Sequence, residues 1–304
     1  MISICIPVYN YIVIDLVNKL FSLSEKTTVP CEIILIDDCS ENRYKTINDS
    51  VSDKATYIKL AKNVGRAAIR NQFLKYARYD HLLFLDCDVV IPWDDFLDKY
   101  IDALTQHPNQ LICGGREYPV SPPPKNQILR WKYGIKKESK TYAERQKNPY
   151  RSFMTNNFVI HRRILETTPF DERLKGYGHE DTLFGFELKK RGIGIVHINN
   201  PVVNGDQEYN DTYISQTENA ILNLTRLLKI VNYDKSLIED ITLLRVYYKL
   251  YHIRDLIKAL FILTKPIIKY TLLNGYINLY LFDFYKLGTL TTYMKQAKTI
   301  ASHT

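Results

Sequence analysis

Short apolar runs alternate with helix-period runs over the first 200 residues, and this alternation restricts the fold more than any other feature. ISICI (2–6), EIILI (32–36), YIKL (57–60), LLFL (82–85) and LICGG (111–115) have strand length and composition. Between them lie helical patterns after Tyr11, through NVGRAAIRNQFLKYAR (63–78), and through WDDFLDKYIDAL (93–104). Strand and helix in alternation predict a mostly parallel sheet covered on both faces. Ligands of such sheets gather beyond the carboxyl ends of the strands. Polar groups cluster at those ends here: Pro7-Tyr9-Asn10, Asp37-Asp38 and Asp86-Asp88.

Regular structure is expected to return in NNFVIHR (156–162), and a further strand in IGIVHI (193–198). In GYGHEDTLFGFELKKRG (176–192), Glu180 and Asp181 open a helix, Lys189 to Arg191 fill its last turn and Gly192 ends it. Residues 117–150 lose the pattern; SPPPK and scattered cations mark a long loop, with a short helix near QILRWKYG, that could act as a lid. After about residue 225, tyrosine-rich helical runs dominate. The expected organisation is a domain over 1–225 and a helical extension over 226–304.

The net charge of +8 is unevenly placed. Residues 116–151 hold 10 basic and 3 acidic residues, and residues 226–304 hold 12 and 5. Each segment therefore carries +7, and the remainder 19 basic against 25 acidic, or −6. Basic appendages on an acidic core suit anionic partners: phosphates, a membrane surface or RNA. No RNA-binding module is recognisable, so no nucleic acid is expected. Five cysteines without a CxxC pair read as reduced and structural. The apolar N-terminus lacks a basic region and a cleavage site and reads as a first strand. No run of about 18 apolar residues occurs. These features predict a cytoplasmic location, with possible peripheral contact at the inner face of a membrane through 226–304.

Asp86 and Asp88, spaced as alternate residues at a strand exit, can face one site with Cys87 turned inward. Two hard oxygen ligands suit Mg²⁺ or Mn²⁺; a pair of loop-capping aspartates is the competing reading. Asp38 can accept from a nucleobase or ribose, or close an Asx-turn. Arg66 and Arg70, one helical turn apart, can face phosphate or solvent. A carboxylate at the helix start in GYGHED is expected to have a lowered pKa and to act as a base, or merely to cap the helix.

In their order and spacing, SICIPVYN, EIILIDDCS, NVGRAAIRN, FLDCDVV, TNNFVIHRR and GYGHEDTLFGFELKKRG resemble family 2 inverting glycosyltransferases of the GT-A fold. The pair TNNF and GYGHED is most similar to bacterial chondroitin-polymerase and N-acetylgalactosaminyltransferase domains. The resemblance covers about the first 225 residues. It implies a GT-A sheet flanked by helices and a single displacement at the anomeric carbon, from a nucleotide sugar, commonly a UDP-sugar, to a glycan or lipid-linked acceptor. A galactose- or N-acetylgalactosamine-type donor is suggested by the HED stretch. By the same resemblance, Pro7, Tyr9 and Asp38 hold the base, and Arg70, with Arg66 nearby, lies by the nucleotide. Asp86 lies near the ribose, and Asp88 ligates Mn²⁺ or Mg²⁺. Asn156 and Asn157 line the donor sugar, Asp181 is the base, Glu180 contacts the acceptor, and His179 and Tyr177 neighbour it.

Relatives often carry a metal-ligating histidine after the NPV turn; here NNPVVNGDQE places Asn204 there, and His197 is a possible substitute. Asn204 also keeps open a non-catalytic nucleotide- or glycan-binding scaffold. A sugar-1-phosphate nucleotidyltransferase would need a glycine-rich phosphate loop that IPVYNYIVI lacks. As a lid, the basic loop would bring Arg130, Lys132, Lys136 and Lys137 to a diphosphate.

Overall fold

The computed structural model describes residues 1–301, with side chains described to Met294. It divides into two compact units. The first comprises residues 1–119, 137–175 and 180–206; the second comprises 120–136, 176–179 and 207 onward.

The first unit is built on a seven-stranded sheet in the order β3-β2-β1-β4-β8-β6-β9. Its strands are β1 (Ile2–Val8), β2 (Cys31–Asp37), β3 (Thr56–Lys59), β4 (His81–Leu85), β6 (Leu111–Cys113), β8 (Asn157–His161) and β9 (Ile195–His197). Only β8 runs antiparallel to its neighbours. Successive residues serve opposite faces. In β1, Ile2, Ile4, Ile6 and Val8 enter one core while Cys5 enters the other; in β4, Leu83 and Leu85 oppose Leu82 and Phe84. A sheet buried on both faces needs this continuous apolar run. The helices α1 (Ile14–Ser24), α2 (Asn42–Asn48), α3 (Arg66–Tyr76), α4 (Phe96–Gln106), α6 (Tyr142–Lys147), α7 (Arg162–Thr167) and α8 (Glu180–Lys190) belong to this unit.

A second sheet, β5-β10-β7, joins β5 (Val89–Val90), β10 (Val202–Asn204) and β7 (Arg116–Glu117). It gathers three distant chain segments just past the Asp86–Asp88 stretch. All five cysteines are free.

The second unit holds α5 (Ile128–Tyr133), α9 (Asn210–Ile230), α10 (Lys235–Asp240), α11 (Thr242–Lys249), α12 (Arg254–Leu273) and α13 (Leu279–Ala301). Leu129, Tyr213, Ile214, Phe261, Ile268, Leu272, Phe282 and Tyr285 form its core. A Cβ on Gly288 would lie 2.1 Å from the Phe261 ring, so the missing side chain is what lets that ring pack against α13. The division falls after Asp206 rather than at residue 225, because Tyr213 and Ile214 of α9 belong to this core. In the 117–150 segment the short helix expected near QILRWKYG is α5, and α6 is a second helix, not expected from the sequence. The segment is shared between the units.

Candidate active site

The parallel register places the ends of β1, β2 and β4 along one edge: Val8 stands opposite Asp37, and Cys5 opposite Phe84. Antiparallel pairing of β8 sets Asn157 opposite Leu85. The residue before it, Asn156, therefore meets the chain at Asp86, whose N–H donates to the Asn156 carbonyl at 3.2 Å.

Asp86 is held by two guanidiniums. Arg70 donates from Nη2 to Oδ1 at 2.9 Å, and Arg116 lies 3.8 Å from Oδ2. Arg70 is 2% exposed. It also donates to the Arg66 carbonyl and stands over the Phe170 ring. Such a buried cation needs the carboxylate, and the pair fixes the turn after β4. Arg66, more exposed, reaches Glu180 at 3.5 Å. Arg116 also approaches Glu138 at 3.6 Å. Arg116 escapes sequence reasoning; the only hint is its position directly after the Gly-Gly that ends a buried strand. Gly115 has φ of 99°, and a Cβ there would collide with the Arg145 guanidinium.

Asn156 and Asn157 have opposite fates. Asn157 accepts from the Tyr100 hydroxyl at 2.6 Å and donates to the carbonyls of Gly115 and Asn200 at 3.0 and 2.8 Å. It ties strands together. Asn156 is 3% exposed, and neither its Oδ1 nor its Nδ2 has a partner. Glu180 Oε2 is buried without a partner as well. Buried polar atoms are nearly always satisfied, so orphaned ones beside Asp86 and Arg70 mark a place that a polar ligand completes.

Glu180 and Asp181 open α8. Asp181 accepts from the Thr182 N–H at 2.6 Å and from its hydroxyl at 3.2 Å. Its pKa is nevertheless raised, to about 6, chiefly by burial and then by the adjacent Glu180 carboxylate, against the pull of Thr182 and Arg70. The expected lowering by the helix terminus is thus overturned: desolvation of the carboxylate outweighs the dipole. The correction favours a base, since a pKa near neutrality suits proton abstraction at neutral pH. Preceding α8, Gly176, Gly178 and His179 all have positive φ. Tyr177 and His179 fall in the second unit, where Asn223 donates to the carbonyls of Tyr177 and Gly178.

Asp38 holds the start of α3: its two oxygens accept from Val64 and Gly65 N–H at 2.6 and 2.9 Å. Burial still raises its pKa. Asp37, fully buried, accepts from Ser40 and Tyr57. Tyr9 is exposed and Pro7 half-buried at the end of β1; the Tyr9 N–H approaches Cys87, whose thiol burial pushes up.

Around Asp88, the Gly205 N–H donates to its carbonyl at 2.8 Å. Asn204 Nδ2 donates to the Asp206 carbonyl at 3.0 Å, and Tyr11 donates to the Asp206 carboxylate at 2.9 Å. Burial raises the Tyr11 pKa, with Asp206 and Asp88 adding to the effect. Among the described residues no three His, Cys, Asp or Glu side chains converge as a closed metal site. The donor set here, one or two carboxylates, fits a hard cation that takes its other ligands from water and phosphate oxygens, as Mg²⁺ does.

His197 is not a substitute ligand. Its Nε2–H donates to the Pro149 carbonyl at 2.9 Å, and its Nδ1 accepts from Arg145 at 3.0 Å. Burial holds its pKa down at about 4. Arg145, itself buried, donates to the carbonyls of Cys113, Gly114 and Ile198 and so pins 137–150 to the sheet. Arg130 and Lys132, expected at a diphosphate, instead meet Glu208, the Tyr213 ring and the Ile277 carbonyl within the second unit.

The glycosyl transferase family 2 model matches residues 3–168. A chondroitin synthase of Pasteurella multocida is 25% identical over 224 residues, 63% of this chain and 23% of its own length. An uncharacterised glycosyltransferase of Haemophilus influenzae is 34% identical over 113 residues, 36% of each chain. The chain thus spans about a quarter to a third of the length of these curated relatives. A mannosyltransferase of Pyrobaculum calidifontis in complex with GDP-Man and Mn²⁺ superposes with a TM-score of 0.58 at 13% identity, covering 98% of this chain and 86% of that one. The Mycobacterium tuberculosis glucosyl-3-phosphoglycerate synthase, solved with Mn²⁺ and UDP, gives 0.51 at 16%, covering 75% and 79%. The fold is that of the GT-A transferases. With its family model matched over more than half its length, the chain belongs to glycosyl transferase family 2.

Proposed function

We propose that the chain is a metal-dependent, inverting hexosyltransferase of polysaccharide synthesis. It moves a hexose or N-acetylhexosamine from a nucleotide sugar, a UDP-sugar by preference, to a hydroxyl of a glycan or lipid-linked acceptor. The observation that carries this reading is that Arg70, which binds Asp86, also acts on the raised carboxyl of Asp181. A donor-side carboxylate and a base tuned towards neutrality then share one electrostatic environment, as one direct displacement requires.

In this reading Tyr9 and Asp38 border the nucleoside, and the orphaned amide of Asn156 completes its hydrogen bonds on the donor. Arg70 and Arg116 hold the Asp86 carboxylate in place as an acceptor for the ribose. Asp88, with Asp206 nearby, would hold Mn²⁺ or Mg²⁺. The ion supplies charge neutralisation for the departing nucleoside diphosphate. Asp181 takes the proton of the acceptor hydroxyl, and Glu180 orients that acceptor. One displacement inverts the anomeric centre. The chondroitin and hyaluronan synthases among the relatives support a glycan product.

The test compares Asp181→Asn with wild type in transfer from a panel of UDP-sugars with Mn²⁺. Transfer should fall by at least ~100-fold while UDP binding persists. Transfer at the wild-type rate would remove Asp181 as base.

A further inference from the structure

The second unit carries an apolar surface that the transferase reading does not use. In α12, Phe261, Ile268 and Leu272 turn into the unit's core. The opposite side is also apolar. Leu256, Leu260, Leu263, Ile267 and Tyr270 repeat at spacings of 4, 3, 4 and 3. At about 100° per residue they fall within an arc of about 80°. All five are exposed, Leu263 by 75% and Ile267 by 68%. After Asp255 in the first turn, the charged residues of α12 are Lys258, Lys265 and Lys269, which fall within an arc of about 40° on a half-buried stripe. A helix with a wide apolar face and a narrow basic stripe suits the plane of a membrane interface.

Two observations choose the occupant. The first is charge. Between Arg245 and Tyr270 there are six basic residues and one acidic, so the segment carries +5. A second copy docked by the same face would bring +5 against +5, which opposes a self-complementary seam. An anionic surface complements it. The second is the width of the face. Ile262 and Pro266, also exposed, extend it well past the narrow strip that a two-helix seam covers. Tyr276 and Tyr280, exposed just beyond α12, are amphipathic side chains of the kind that settle at headgroup level. No helix among the described residues is long and apolar enough to cross a bilayer.

We infer that the exposed face of α12 is a membrane-docking surface: it lies in the interface of a bilayer containing anionic phospholipid, with Lys258 and Lys269 at its edge. This inference does not depend on the transferase reading, and its test uses no nucleotide. The full chain is sedimented with vesicles of phosphatidylcholine, with and without phosphatidylglycerol, at low and high salt. The wild type should bind the anionic vesicles, and less so in high salt. Leu263→Glu with Ile267→Glu should weaken that binding by at least about tenfold, since two side chains lose their apolar burial. Both positions are exposed, so the thermal midpoint should not move. Lys258→Gln with Lys269→Gln should weaken binding and flatten its salt dependence. No binding of the wild type to anionic vesicles overturns the inference, as does unchanged binding by the glutamate variant. A dimer in solution that the glutamate variant converts to monomer assigns the face to a second copy instead.

Discussion

Replacing Asp181 by asparagine is expected to make the folded protein more stable at pH 7 while removing its activity. Burial and the Glu180 carboxylate raise the Asp181 pKa from the ordinary 3.8 to about 6. A carboxyl whose pKa is higher folded than unfolded favours folding in its protonated form. That contribution is whole below about pH 4 and is lost as the pH climbs through about 6. At 1.36 kcal/mol per tenfold change in proton affinity, the ionised group disfavours the fold at pH 7 by about 3 kcal/mol. Asp181 retains some accessible surface, and solvent screening reduces the figure to about 2 kcal/mol. Asparagine keeps an oxygen to accept from Thr182 and carries no charge. Chemical denaturation of wild type and Asp181→Asn, at pH 4 and pH 7, reads the effect. The variant should gain about 2 kcal/mol at pH 7 and almost nothing at pH 4. An equal difference at both pH values, or a loss at pH 7, would refute the electrostatic argument and with it the account of the base.

The same residue sets the acid limb of the rate profile: kcat/KM should rise with pH around 6 as Asp181 ionises, and a flat profile from 5 to 7 would contradict this. The adjacent asparagines should separate cleanly. Asn157→Ala leaves the Tyr100 hydroxyl and the Asn200 carbonyl without partners, takes one of two donors from the Gly115 carbonyl, and should cost about 3–5 kcal/mol in denaturation. Asn156→Ala removes a side chain with no partner, so it should change stability by less than about 1 kcal/mol while raising the donor's KM. Gly288→Val, forced against the Phe261 ring, should lower the thermal midpoint and cost at least ~3 kcal/mol, whereas Gly192→Ala, with open space around it, should cost less, through its positive φ alone.

Much of the frame could be read from residue order because its signals are local. Apolar runs of strand length identify six of the seven strands of the main sheet, and the polar residues that follow β1, β2 and β4 mark one edge of it. The antiparallel insertion of β8 is decided by pairing between distant segments, and NNFVIH contains no mark of direction. The same long-range pairing decides between Asn156 and Asn157: one residue of register turns one amide into the sheet and leaves the other without partners. Charge patterns misled where burial intervened. Asp181 at a helix start reads as a lowered carboxyl, yet desolvation raises it. The cations of 117–150 read as a lid, yet Arg145 is a buried pin among carbonyls and Arg130 belongs to the second unit. Arg116 went unseen because its partner, Asp86, is thirty residues away in sequence and meets it only through the small β5-β10-β7 sheet.

The most direct measurement of the central claim is nucleotide release, after a thermal-shift screen of UDP-sugars and GDP-mannose with Mn²⁺ has selected the donor. Wild type, Asp88→Asn and Asp181→Asn are compared for donor turnover and for Mn²⁺-dependent binding of the free nucleoside diphosphate. The account predicts that both variants lose turnover by at least ~100-fold, that Asp181→Asn keeps Mn²⁺-dependent nucleotide binding, and that Asp88→Asn loses it. Turnover by Asp181→Asn at the wild-type rate, or Mn²⁺-dependent binding undiminished in Asp88→Asn, would contradict it.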